Sequence, residues 1–321
     1  MSRPAWEARP RVLGQSARLL AALLPVALGV ATVVFALSHL MPGDPVAVML
    51  GENAAVADRE ALRRQLGLNQ PLHLQYISYL GSLAQGDLGH SIHSGRPVAS
   101  LLAQRAGATL ELSAAAVLMT MALALPLGLI AALRPRGIGD RLSLTAGLAG
   151  VAIPNFWLGP MLIMLFSVKL GWLPVSGRGG PAHLLLPAFT LGASMAGILA
   201  RMTRSALLEA LGEDYIRTAL AKGLSRRAVL VRHALRNALT PVLSVAGLEL
   251  GALLTGSVIT ETIFSWPGIG RLMLEAIHAR DYPVLQGCVL VFAAAYVVVN
   301  LVTDLAYLWA NPRLRVEVER R

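Results

Sequence analysis

Six separate runs of mostly apolar residues, at 17–40, 108–133, 142–170, 183–206, 240–262 and 284–309, leave this chain one kind of fold. A helix needs ~20 such residues to cross the hydrocarbon core, and in lipid every backbone N–H and C=O must find its partner inside the segment. The runs therefore predict an all-α integral membrane protein of six transmembrane helices. Composition agrees, because 55% hydrophobic and 14% charged residues over 321 positions is more apolar surface than a soluble domain hides. The first run is too long, and too poorly followed by a small-residue cleavage site, to be a removable signal peptide, so it reads as a retained anchor.

An even number of spans puts both termini on one side. With the termini cytoplasmic, 19 of the 28 Lys and Arg fall inside and 9 outside, and five of those nine lie in the long stretch 41–107. Long loops constrain orientation weakly and short ones strongly, so both termini are expected to be cytoplasmic. The net charge of +10 then needs no nucleic acid, since topology and anionic inner-leaflet lipid account for it. The single cysteine, Cys288, rules out an internal disulfide and a cysteine metal cluster.

Two parts follow from this pattern: residues 1–107, one span with a long periplasmic segment, and residues 108–321, a five-span core with a cytoplasmic loop at 207–240. In the first part, Asp58–Leu66 reads as a short amphipathic helix ending at Gly67, and Leu72–Leu83 repeats apolar residues at helical spacing. The cytoplasmic loop is longer than a connector requires. Glu213–Ala221 has acids first and Lys222-Gly223 last, as the helix dipole favours, and Tyr215, Ile216, Ala219 and Leu220 share one face. Ser225 is placed to cap a second helix leading to Pro241. A docking surface for a cytoplasmic partner and an interfacial helix lying on lipid fit that composition equally.

Two acids fall inside expected spans, Glu249 and Asp304. Buried ionisable groups in lipid face a cavity or a partner. Asp304 reads as structural, pairing near the inner surface with a basic residue. Glu249 is either protonated or hydrogen-bonded in the bundle, or it lines a translocation path beside Gly247 and Gly251, a small-xxx-small pair that lets helices approach closely. No catalytic residue is expected: GASMAG at 192–197 misses the nucleophile-elbow spacing, and Ser194 reads as a packing residue. The seven histidines show no HExxH spacing, and His90 and His93, which follow a glycine turn, read as surface residues.

The stretch EALGEDYIRTALAKGLS…RHALRNALTPV, followed by ETIFSWPGIGR (261–271), RDYPVLQG (280–287) and NLVTDLAYLWANPRLR (300–315), resembles the bacterial dipeptide/oligopeptide/nickel permease family. LMPGDP (40–45), LGLNQP (66–71) and GDLG (86–89) extend the resemblance to nearly the whole chain and point to the B-type subunit. It implies the type I ATP-binding-cassette importer permease fold in the bacterial inner (plasma) membrane. Asp214–Leu224 is then the coupling helix, seated in a cleft of a separate ATPase, and the coupling residues are Glu213, Asp214, Tyr215, Arg217, Thr218, Ala219, Ala221, Lys222, Gly223 and Leu224. The implied partners are a homologous second permease, two ATP-binding subunits and a periplasmic or lipid-anchored solute-binding protein, besides membrane lipid. ATP and Mg belong to the partner ATPases, because neither lysine here, Lys169 or Lys222, follows a glycine as a phosphate loop requires. Di- or oligopeptides are the implied cargo, with nickel, a metal–chelator complex or glutathione as alternatives within the family. Peptide-transporting relatives tend to carry an uncharged polar residue near position 249, so Glu249 is a departure. A proton-coupled secondary transporter would show internal repeats, and none is visible.

Overall fold

A computed structural model describes residues 25, 27–36, 39, 40, 46, 50, 55–65 and 67–310. Every regular element among the described residues is helical, apart from an isolated bridge between His90 and Pro97. The helices gather into two compact units, residues 1–105 with 272–297, and residues 106–271 with 298–321. Residues 272–297 gather with the N-terminal part, where Asp281 and Gly287 find partners.

The first unit contains α1 (Ala27–Ala36), α2 (Val56–Gln65), α3 (Leu72–Ala84) and the opening turns of α4 (Val98–Leu133). Most of α11 (Ile269–Ala279) and the first half of α12 (Tyr282–Ala310) complete it. α2 has Asp58 in its first turn and Arg63 and Arg64 in its last, matching the helix dipole. α3 lies on α1 through Phe35, whose ring centroid is 5.2 Å from that of Tyr76 and 5.6 Å from that of Tyr79. Asp281, only 4% exposed, accepts the Ser91 hydroxyl, the Ile92 N–H at 3.2 Å and the Val284 N–H at 3.5 Å. It thus caps α12 and ties the turn before α4 to that cap. A Cβ added to Gly287 would meet Val98 Cγ1 at 2.5 Å, so α12 and α4 touch nearly backbone to backbone.

The second unit is built on α7 (Pro181–Gly212), which starts with Pro at the position where a missing N–H does no harm. α7 buries Leu191, Leu199 and Leu207 against α4 and α10 (Leu235–Ile263). Lipid tails give no hydrophobic drive between helices, so close packing of small residues has to hold them. The crossing of α7 with α5 (Ile138–Ala152) does this: a Cβ on Gly197 would sit 2.0 Å from the Gly147 carbonyl oxygen, and one on Gly150 would sit 2.5 Å from that of Ala193.

The expected single span at 142–170 is corrected. It is α5 followed by α6 (Asn155–Leu162) and a π-helical stretch, Ile163–Lys169, with a bend of 104° between them. Pro154 has no N–H to continue the ladder and drives Ile153 into extended backbone, with ψ 117°. Among the described residues, three helices (α4, α7 and Tyr282–Thr303 of α12) are long and apolar enough to cross a membrane, and the bent pair is a fourth if it counts as one span. α10 has 29 residues. Most of the expected first span, 17–40, and the side chain of Asp304 lie outside what is described.

Candidate functional site

Between α7 and α10 the chain forms a separate short helix, α8 (Asp214–Ala221), then α9 (Arg226–Val229) and a π-helical turn, Leu230–Ala234. Glu213 occupies the N-cap position without a side-chain cap, and the Thr218 hydroxyl returns to the Asp214 carbonyl at 3.0 Å. Gly223 ends the element with φ +82°, a left-handed value that disfavours any side chain by about 1–2 kcal/mol. Ser225 caps α9 as expected, its hydroxyl accepting the Ala228 N–H at 3.3 Å. Gly212, expected to mark the other end, has ordinary backbone and open space where a Cβ would go.

The apolar stripe of α8 divides by depth. Ile216 and Ala219, at its centre, are buried in a cluster with Ala132, Leu207, Ala210, Val229, Ala234 and Ala238. Tyr215 and Leu220, at its edges, are 38% and 42% exposed, and Leu224 is 41% exposed beyond them. Asp214 and Arg217 face outward, 3.4 Å apart, as do Thr218, Ala221 and Lys222. Burial of Ile216, worth roughly 1.5–3 kcal/mol, bolts the helix to the bundle. The opposite face offers an aromatic ring, two leucines and mixed charge.

At the far end of α10 the ETIFSWPGIGR motif closes on itself. Glu261 is completely buried, and its carboxylate accepts the Thr109 hydroxyl at 2.8 Å and the Arg271 N–H at 2.9 Å, together with the Gly270 N–H. It therefore caps the N-terminus of α11. Gly268 and Gly270 are glycines because a Cβ at either would strike that carboxylate, at 2.2 Å and 2.9 Å. Trp266 is fully buried and donates its ring N–H to the Ala108 carbonyl at 2.7 Å. The 171–182 loop docks here through the Gly177 N–H on the Phe264 carbonyl (2.8 Å) and through Arg178, paired with Glu111 at 2.6 Å. The sequence reading passed over Glu261, although an acid at a span end followed by two spaced glycines signals it.

Glu249 sits midway along α10. It is half-buried and lines a cavity of about 200 Å³ with Val151, Asn155, Leu191, Ser194 and Leu253. Gly247 does not join it: a Cβ there would meet Thr303 Cγ2 at 2.2 Å, on the α12 side. Gly251, buried one turn on, shares the Gly247 face, because residues four apart align while residues two apart point away. Gly247 thus serves helix contact and the carboxylate lines the cavity. No cluster of three potential metal ligands occurs among the described residues.

Comparison with known proteins places this geometry. Residues 124–316 match the family model described as the binding-protein-dependent transport system inner membrane component, and residues 15–113 match the N-terminal model of the same systems. The chain belongs to this family. It is 48% identical to the di/tripeptide transport system permease protein DppB of Pseudomonas aeruginosa, over 93% of this chain and 98% of that protein. It is 43% identical to the dipeptide permease DppB of Escherichia coli K12 (93% and 97% covered) and to the glutathione permease GsiC of an E. coli O6:H1 strain (91% and 96%). Two inward-facing structures of the MetNI methionine ABC transporter align with TM-scores of 0.54 and 0.56 at 19% identity, covering 66% of this chain and 96% of theirs. That likeness shows the fold, of the type I importer permease kind. The protein is accordingly a multi-pass inner-membrane permease component of an ABC importer, a transport component rather than an enzyme.

In this permease the helix that leads into α8 is held by an ion pair the sequence reading missed. Asp140, in the first turn of α5, receives Arg204 of α7 through Nε at 2.7 Å and Nη2 at 2.8 Å, and the Arg136 N–H at 2.8 Å. The Asp140 side chain is 4% exposed. These hydrogen bonds, the Arg204 guanidinium first, hold its carboxyl below the ordinary carboxylate range. A depressed carboxyl contributes stability that is complete above its unfolded pKa, about 4, and is lost as pH falls through the folded value. Thermal stability in detergent is therefore expected to drop more steeply below about pH 4 in the wild type than in Asp140→Asn. Parallel pH profiles would show that the pair contributes nothing.

Proposed function

We propose that this chain forms half of an inward translocation path for di- or oligopeptides, with six spans and both termini cytoplasmic. A homologous second permease supplies the other half, two ATP-binding subunits bind α8, and an external solute-binding protein delivers cargo. The substrate reading is supported by the peptide permeases at 43–48% identity along 93% of the chain. The glutathione permease at 43% identity favours one second reading, glutathione, itself a tripeptide thiol. The coupling reading rests on α8, a separate helix bolted inward by Ile216 and Ala219 and unpartnered outward among the described residues. ATP binding draws the two ATPases together, and a rigid α8 passes that movement to α7 and α10. Such coupling is a shift between two global states.

Gly223→Val tests the coupling. Nothing lies within 4 Å of a Cβ at this position, so the substitution acts through backbone strain alone and re-aims Leu224. Insertion and co-purification with the ATPases are expected to persist, while peptide taken up per ATP hydrolysed falls by about tenfold, equivalent to ~1.4 kcal/mol. Gly212→Val is the matched control, with no loss expected. Unchanged uptake per ATP in Gly223→Val would remove α8 as the coupling element. Competition of labelled dipeptide uptake by glutathione separates the two cargo readings.

A further inference from the structure

The cavity beside Glu249 holds a carboxylate that nothing described here neutralises. Within the expected span 240–262, Glu249 lies nine residues from one end and 13 from the other, about 14 Å and 20 Å at 1.5 Å per residue. No glutamate side chain spans that distance to reach interfacial water. Among the described residues no hydrogen bond or ion pair holds its carboxylate, whereas Asp140, Glu261 and Asp281 are all fully engaged. The cavity contains about 200 Å³, far above the ~15 Å³ that admits one water. Polar groups from two other elements, Ser194 of α7 and Asn155 at the start of α6, face the same space.

The break in the third span shapes this site. α5 ends with Val151 on the cavity wall, and the Gly150 carbonyl would have bonded residue 154, a proline with no N–H. α6 starts at Asn155 on the same wall. The C-terminal end of one helix and the N-terminal end of the next carry about half a charge each, of opposite sign, and offset one another. The carboxylate of Glu249 is the one acidic side chain on this wall. An acidic group placed there selects by the net charge of what enters.

Resting on the permease reading above, we infer that Glu249, with Ser194 and Asn155, forms a cation-selective subsite of the translocation path, which favours peptides of net positive charge. A neutral dipeptide presents its ammonium and carboxylate together and is attracted weakly. A peptide with an added lysine or arginine side chain is not so balanced. Gly247 takes no part, since it packs against Thr303.

Two measurements on the assembled importer test this. The first needs no cargo. On a Cys288→Ala background, which removes the buried native thiol, Ser194→Cys is treated with cationic and anionic methanethiosulfonate reagents of similar size. Modification is read from the mass of this chain and normalised to a free thiol in solution. The cationic reagent is expected to react at least about fivefold faster, and Glu249→Gln is expected to bring the ratio near one. A ratio unmoved by Glu249→Gln, or no modification by either reagent in any nucleotide state, overturns the subsite. The second measures uptake of Lys-Ala against Ala-Ala, where Glu249→Gln should lower the first at least about fivefold more than the second. Equal loss of both, with ATPase stimulation intact, overturns the charge preference. If the unaltered importer moves neither peptide, the peptide reading fails by itself and the thiol ratio still decides the role of Glu249.

Discussion

Gly197→Val is expected to prevent α5 and α7 from closing. A Cβ at this position would lie 2.0 Å from the Gly147 carbonyl oxygen and 2.7 Å from its carbon, and the obstacle is backbone, which no rotamer change relieves. One helix has to withdraw along its length, which forfeits dispersion contacts in a membrane where those contacts hold helices together. Overpacking of an ordinary core costs about 1–3 kcal/mol, and a backbone-to-backbone crossing lies at or above the top of that range. The withdrawal also pulls Asp140 away from Arg204, so a support of the helix that leads into α8 goes with it. Purification should give little monodisperse protein, with a melting temperature many degrees below wild type. Gly212→Ala, where a Cβ meets nothing within 4 Å, should melt with the wild type. A wild-type melting temperature for Gly197→Val would mean that the two helices do not cross at this point.

The second large effect belongs to Glu261→Ala. It leaves the Thr109 hydroxyl and the N–H groups of Gly270 and Arg271 facing a void in a fully buried site. Each buried donor without an acceptor costs about 1–3 kcal/mol, and three such losses exceed what most single substitutions remove. Glu261→Gln should cost less, because its NH2 can donate to the Thr109 and Ser257 hydroxyls while its oxygen still accepts the Arg271 N–H. The alanine variant should free Trp266, seen as a red shift and gain of quenching in its emission and as new protease cleavage within 264–271. The alanine variant with wild-type emission and protection would show that the motif closes without its carboxylate.

Much of this was legible in the residues. Apolar runs gave the class. Acids before and basic residues or glycine after each short pattern gave Val56–Gln65 and Asp214–Ala221 to within two residues, since caps and dipoles are local effects. Ser225 was found as a cap for the same reason. The coupling role proposed for α8 rests on a resemblance whose motifs run the length of the chain. What could not be read was pairing across distance. Arg204 looks like any basic residue at a span end until α5 brings Asp140 to it from 64 positions away. Glu261 looks like a span terminus until α11 folds its first N–H groups back onto it.

Glu249 shows the same division at one residue. The sequence by itself determined that a carboxylate lies deep in a span with small residues two positions to either side, because hydropathy and spacing are properties of order along the chain. Only the tertiary structure decided that Gly247 turns toward Thr303 and the carboxylate toward Ser194 and Asn155. Helical periodicity sets residues 247 and 249 on different faces, but which neighbour meets each face depends on how α7, α10 and α12 pack. The bend at Pro154 likewise followed from a local rule, while the cavity it opens exists only because α10 passes beside it.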